Sequence, residues 1–219
     1  KLSSGKDVGS GVAAVTDPAR LPVLILFEGG SSLIDPKAAP TLFRIAPANR
    51  YLCRRLADYL ADVRPGAPAA IISDDSTYGR EGAAEVVADL RHNEVAVSST
   101  QTVPQRARGV AAQVRAARRS GAQALVLWAN APAVAAVLRE ARSTGWEVPV
   151  YTGPTGADPL IRQQLADRPA WVDGLTFVSF RITSEVGPAP FAAYRKAYER
   201  QFGADEVGVQ SAGTEVVSP

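Results

Sequence analysis

The chain predicts an α/β fold built on a parallel sheet, and three observations carry that expectation. Between residues 69 and 156, short apolar runs alternate with helix-like stretches of about ten to fifteen residues. The runs are nearly continuous in apolar character, as strands covered on both faces must be. They end in polar, aromatic or glycine-rich residues: Ser73-Asp-Asp-Ser-Thr-Tyr-Gly, Trp128-Ala-Asn and Tyr151-Thr-Gly-Pro-Thr-Gly. Ligands of such sheets bind at the carboxyl ends of the strands, so the fold also predicts where function lies.

Residues 7–20 read as a short helix ending near Pro18, and 21–27 as an apolar strand that breaks at Glu28-Gly-Gly-Ser-Ser. Residues 41–46 form a second short strand, closed by Pro47, whose ring fixes φ. From 50 to 63, Tyr51, Leu52, Leu56, Tyr59, Leu60 and Val63 recur at helical spacing, and Arg64-Pro-Gly-Ala-Pro stops the helix. Strand 69–75 leads into helix 78–91, which is expected to bury Ala83, Ala84, Val86, Val87 and Leu90. Strand 95–103 precedes helix 110–119, and strand 124–128 precedes helix 132–143. That helix opens on a proline, a favoured first-turn residue, and is expected to bury Val134, Val137, Leu138 and Ala141. Strand 148–152, a short helix after Asp158 and strand 175–180 continue the series. Residues 191–202 read as an amphipathic helix with Phe191, Tyr194, Tyr198 and Phe202 on one side; the tail from 203 is weakly patterned.

Composition bounds the function. Of the 219 residues, 46% are apolar and 21% charged, which is ordinary for a globular protein. A net charge of +2, with lysine and arginine scattered, argues against a nucleic-acid face. Arg115, Arg118 and Arg119 cluster where they complement a helix dipole. No run reaches the roughly twenty apolar residues of a membrane span. The one cysteine, Cys53, rules out an internal disulfide and is read as core. The one histidine, His92, has no cysteine or second histidine near it in sequence, so no transition-metal site is expected. The chain begins at Lys1 and contains no methionine, which predicts a processed or truncated start.

Candidate chemistry is thin. Asp74 and Asp75 point to opposite sides of a strand end, so they do not converge on one atom, and one is expected to cap the next helix or turn. The phosphate-loop and Gly-x-Ser-x-Gly patterns are absent, and His92 is badly placed for a serine triad. Gly29-Gly-Ser-Ser comes directly after a strand and offers amides to an anion. Trp128, at a strand end, reads either as packing or as a ligand wall. No acid, base and nucleophile assemble, so binding is favoured over catalysis and no cofactor is implied.

Taken together, these segments resemble the type I periplasmic binding proteins, in their leucine/isoleucine/valine-binding branch. The resemblance rests on Leu42-Phe-Arg-Ile-Ala-Pro, on Ile71-Ile-Ser-Asp-Asp-Ser-Thr-Tyr-Gly-Arg-Glu, on Leu138-Arg-Glu-Ala-Arg-Ser-Thr-Gly and on Val172-Asp-Gly-Leu. It covers roughly residues 3 to 203. It implies two doubly wound parallel-sheet lobes with the ligand cleft between them, the first lobe incomplete in this span. Residues 1–47 and 183–219 would belong to that partial first lobe, and 48–182 to the second.

The resemblance also implies site residues. Ser3 or Ser4 falls where a serine holds a ligand carboxylate, and Gly30, Ser31 and Ser32 where a loop of the first lobe touches ligand. Tyr78 and Asn130 would face the cleft from the second lobe. Trp128, an aromatic residue at the mouth of that lobe's sheet, is expected to line the cleft with Tyr78, and the remaining cleft carboxylates are Glu28 of the first lobe and whichever of Asp74 and Asp75 does not cap. Thr155, in Gly153-Pro-Thr-Gly, stands where amino-acid binders carry an acid for the ligand ammonium. That exchange predicts a carboxylate ligand without an α-ammonium over leucine or valine, unless Glu28 replaces the lost partner.

The function implied is capture of a small organic solute, carboxylate or amino-acid-like, for an ABC importer by lobe closure. Its partner would be the importer's membrane permease, and its place the periplasm or the outer face of the cytoplasmic membrane, held by a lipid anchor. The alternatives are an intracellular sensor of the same fold acting on a regulator, and a hydrolase or transferase, which would need a base the sequence does not offer.

Overall fold

The computed structural model describes residues 6–26, 29–106 and 109–179, together with Ala193, Lys196, Ala197, Glu199, Arg200 and Gln201. Helix α1 (Lys6–Thr16) precedes two short parallel strands, β1 (Val23–Ile25) and β2 (Leu42–Arg44). Helix α2 (Asn49–Val63) then leads into a second sheet. It comprises β3 (Ala69–Asp74), β4 (Val97–Val103), β5 (Ala124–Trp128), β6 (Val150–Thr152) and β7 (Leu175–Phe177). Helices α3 (Thr77–His92), α4 (Ala111–Arg119) and α5 (Ala131–Ser143) connect its strands, and the short α6 (Pro159–Gln164) lies between β6 and β7.

The second sheet is parallel throughout, in the order β4-β3-β5-β6-β7. Every residue of β3 and β5 is buried, as the unbroken apolar runs require. Ala70, Ile72, Leu125, Leu127 and Val150 pack on one face against Val114 of α4 and Val134, Leu138 and Ala141 of α5. Ala69, Ile71, Val126, Trp128 and Tyr151 pack on the other against Leu56 and Leu60 of α2 and Val86 and Leu90 of α3. The chain runs from β3 to β4 on one side, then returns past β3 to β5. The order therefore reverses between β3 and β5, and a crevice opens at their carboxyl ends.

The elements appear where the sequence placed them, with narrower helix faces. On α2 the buried stripe is Leu52, Cys53, Leu56, Ala57 and Leu60, whereas Tyr51 is 59% and Val63 43% exposed. Tyr51 turns outward beneath the Arg50 guanidinium, 5.0 Å from its ring centroid. On α3, Ala84 is exposed and Val87 half-buried, because Gly79 and Gly82 take the positions nearest the sheet. Cys53 is buried, and its burial pushes the thiol pKa up, away from thiolate chemistry.

The two-stranded unit is one-sided. Leu42, Ala13 and Ala39 form its small core, while Leu24, Leu26, Phe43 and Ile45 of alternate positions are 53–68% exposed. The strand expected over 175–180 is shorter, since β7 ends at Phe177 and Val178 already packs outside it in the core. The aromatic stripe expected over 191–202 lies outside the described residues.

Candidate functional site

The carboxyl ends of β3 and β5 are joined by one side chain. Asp74 is fully buried, and its Oδ2 accepts from the Asn130 backbone N–H at 2.7 Å and from Asn130 Nδ2 at 2.8 Å. Its Oδ1 accepts from the Ser76 N–H at 3.1 Å and from the Ser76 hydroxyl. Ser76 in turn caps α3 by accepting from the Gly79 N–H at 2.9 Å. The cap of α3 is therefore Ser76, while Asp74, accepting from the N–H two residues on, caps the turn that leads into the helix, the second of the two roles expected. Asp75 points the other way, to the Gln105 N–H at 2.8 Å. Both carboxylates are committed within the fold.

Tyr78, on the first turn of α3, is buried, and its ring lies 5.9 Å from that of Trp128. A Cβ on Gly153 would come within 2.8 Å of the Tyr78 hydroxyl oxygen, so the strand end after β6 passes directly under it. Thr155 is half-buried and donates its hydroxyl proton to the Ala129 carbonyl at 2.8 Å. Its oxygen keeps lone pairs but brings no charge. Tyr78, Asn130 and Thr155 are thus gathered at the carboxyl end of the sheet.

Trp128 is not a cleft wall. It is fully buried beneath α3, where a Cβ on Gly82 would lie 2.0 Å from its indole nitrogen. The glycine opens a slot in the helix face that the indole fills, so Trp128 is core. Its Nε1–H finds no acceptor among the described residues.

The Gly30–Ser32 loop comes after β1 and is pinned from several sides. Asn49 N–H donates to the Gly29 carbonyl at 2.6 Å, Arg44 Nη1 to the Gly30 carbonyl at 2.6 Å, and Arg50 N–H to Ser31 Oγ at 3.3 Å. Gly29 has no room for a side chain, since a Cβ would meet Asn49 Oδ1 at 2.2 Å. Ser32 reaches across to α3: its hydroxyl donates to Glu81 Oε1, and its N–H to Glu81 Oε2 at 3.5 Å. The loop thus already holds a carboxylate, one of the protein's own. Glu81 is a residue that sequence reasoning missed. It stands in the Tyr78-Gly-Arg-Glu run, one helical turn past Tyr78, but nothing local signals a partner 49 residues away.

Ser3, Ser4 and Glu28 lie outside the described residues. A cavity of about 490 Å³ lies elsewhere, at the amino ends of β6 and β7, lined by Tyr59, Arg64, Arg142, Tyr151, Asp173 and Thr176 among others. Arg64 Nε donates there to the Tyr151 hydroxyl at 3.4 Å, and Arg142 Nη1 to the Trp146 and Val148 carbonyls. This cavity is at the wrong end of the strands for Tyr78, Asn130 and Thr155.

A family model described as periplasmic binding protein matches residues 3–218. No curated protein matches the chain. Among solved structures, an ABC transporter substrate-binding protein from Desulfitobacterium hafniense, in complex with Leu, is 18% identical with a TM-score of 0.71; the match covers 91% of this chain and 56% of that one. A periplasmic binding protein type 1 from Bordetella pertussis Tohama I is 20% identical with a TM-score of 0.80, over 92% and 55%. A branched-chain amino acid ABC transporter from Thermus thermophilus with bound valine is 19% identical with a TM-score of 0.73, over 94% and 53%. The chain spans little more than half the length of these structures, and at such identities the likeness is one of fold.

Proposed function

The chain belongs to the periplasmic binding protein family, and on that premise we propose that it captures a small carboxylate or amino-acid-like solute between its two sheet-bearing units. The observation that carries this reading is Ser32, whose N–H and hydroxyl converge on the two oxygens of one carboxylate. A loop that seats a side-chain carboxylate has the donors for a solute's. Gly30 and Ser31 shape that loop, and we assign Tyr78, Asn130 and Thr155, at the carboxyl end of the five-stranded sheet, to the other wall of the site. Ser3, Ser4 and Glu28 complete the proposed set from the amino-terminal side.

Residues 1–47 and 183–219 would form part of one lobe and 48–182 the other, with ligand held by closure of the two. Binding without chemistry suits a site whose described acids are all bonded within the fold. Delivery to the permease of an ABC importer, from the periplasm or from a lipid anchor outside the cytoplasmic membrane, is the role this implies. Among the described residues no helix is long and apolar enough to cross a membrane. Thr155 supports an organic acid lacking an α-ammonium, because an ammonium buried without a carboxylate costs several kcal/mol, of the order seen for unpaired buried ions.

A thermal-shift panel on the full-length protein tests this, with benzoate, 4-methylpentanoate, leucine and valine as probes. The organic acids should stabilise it more than the amino acids, and each probe should be recovered unchanged. Stabilisation by leucine and valine alone overturns the ligand class; consumption of a probe overturns the binding role.

A further inference from the structure

We propose that Glu81 is a built-in occupant of the carboxylate loop, a competitor that an incoming solute carboxylate must displace. The proposal rests on the solute-capture reading and adds to it a residue and a regulation. Glu81 projects from α3 of the five-stranded unit, and Ser32 from the connection between β1 and β2. Its two carboxylate oxygens take the two donors that Ser32 offers. Among the described residues no cation forms an ion pair with it. The contact is therefore made for the loop's donors and not for a neighbouring charge.

Two carboxylates cannot each take both the N–H and the O–H of Ser32. They would also stand within about 4 Å of each other, where like charges repel strongly in a partly dry site. Glu81 is half-buried on a helix surface, so it has solvent to swing into when displaced. The loop itself need not rearrange, because Arg44, Asn49 and Arg50 hold it from the other side. The empty protein thus keeps its anion loop formed and its two units tied. The displacement lowers apparent affinity for every carboxylate in common, which filters out weak ligands.

A plain strut between the units predicts the opposite sign. Removing a strut weakens ligand binding, whereas removing a competitor tightens it. Calorimetric titration of the full-length protein and of its Glu81→Ala variant, with benzoate, 4-methylpentanoate, leucine and valine, separates the two. The expected result is about tenfold tighter binding of whichever probes bind, the equivalent of one charge-assisted hydrogen bond regained. Adding Ser32→Ala should erase that gain. Unchanged or weaker binding in Glu81→Ala overturns the proposal.

A second measurement needs no solute. Amide hydrogen exchange at Ser32 should quicken about tenfold in Glu81→Ala, the loss of one such bond. Unchanged exchange overturns the contact itself. Faster exchange with no probe bound by either protein supports the contact and tells against the solute-capture reading.

Discussion

Asp74 and Asn130 are joined by two hydrogen bonds, 2.7 and 2.8 Å, that tie the carboxyl ends of β3 and β5 across the point where strand order reverses. The Asp74 carboxylate is thus a fastener, and it stations Asn130 at the start of α5.

Asp74→Ala should leave the Asn130 and Ser76 donors without their acceptor in a closed space. A loss of about 2–4 kcal/mol is expected, read as a lower urea midpoint at unchanged slope. Asn130→Ala, which spares the backbone N–H bond, should cost less. If Asp74→Ala unfolds at the wild-type midpoint, the fastening role is wrong.

Gly82 and Trp128 make a second tight pair. Gly82→Ala places a methyl group 2.0 Å from the indole nitrogen, and overpacking of this kind costs about 1–3 kcal/mol. Trp128 emission should resist acrylamide in the wild type. Trp128→Phe should leave any solute-induced fluorescence change in place, since the indole is not at the cleft; loss of that change would return Trp128 to the site.

The outer face of the two-stranded unit exposes Leu24, Leu26, Phe43 and Ile45. An apolar surface on a sheet that has two strands among the described residues favours association. A protein made of these 219 residues and nothing more should therefore self-associate in sedimentation experiments, and Phe43→Ser with Leu26→Ser should reduce it. A monomer with one cooperative unfolding transition would contradict this.

The Arg139 guanidinium bonds both oxygens of Asp167, at 2.6 and 2.9 Å, and holds that carboxyl down at about 2. The folded value lies below the unfolded one, so the pair's contribution is complete above the ordinary carboxylate value near ~4 and is lost as pH falls through about 2. Both side chains are largely exposed, so stability between about pH 5 and 8 should not register it. Carboxyl NMR should find Asp167 titrating near its depressed value, and Arg139→Gln should return it to the ordinary range. A wild-type carboxyl already titrating in that range would mean the pair does not persist in solution.

The strands and helices of residues 69–152 were legible because each buries its apolar run against a neighbour in sequence. Local pattern was enough there. Tyr51 and Val63 fit a helical stripe but fall at its edges, and how wide a stripe is buried depends on what packs against it. Trp128 was ambiguous because the slot that receives it belongs to Gly82, on an earlier helix. Glu81 was invisible for the same reason: its partner Ser32 comes from a different unit of the fold. Long-range pairs of this kind decide the site, and periodicity does not encode them.

Small-angle scattering of the full-length protein, with and without a probe that stabilises it, tests solute capture by closure most directly. Closure predicts a smaller radius of gyration with solute bound, and the solute recovered intact. An unchanged radius at full occupancy, or a solute chemically altered, would contradict it.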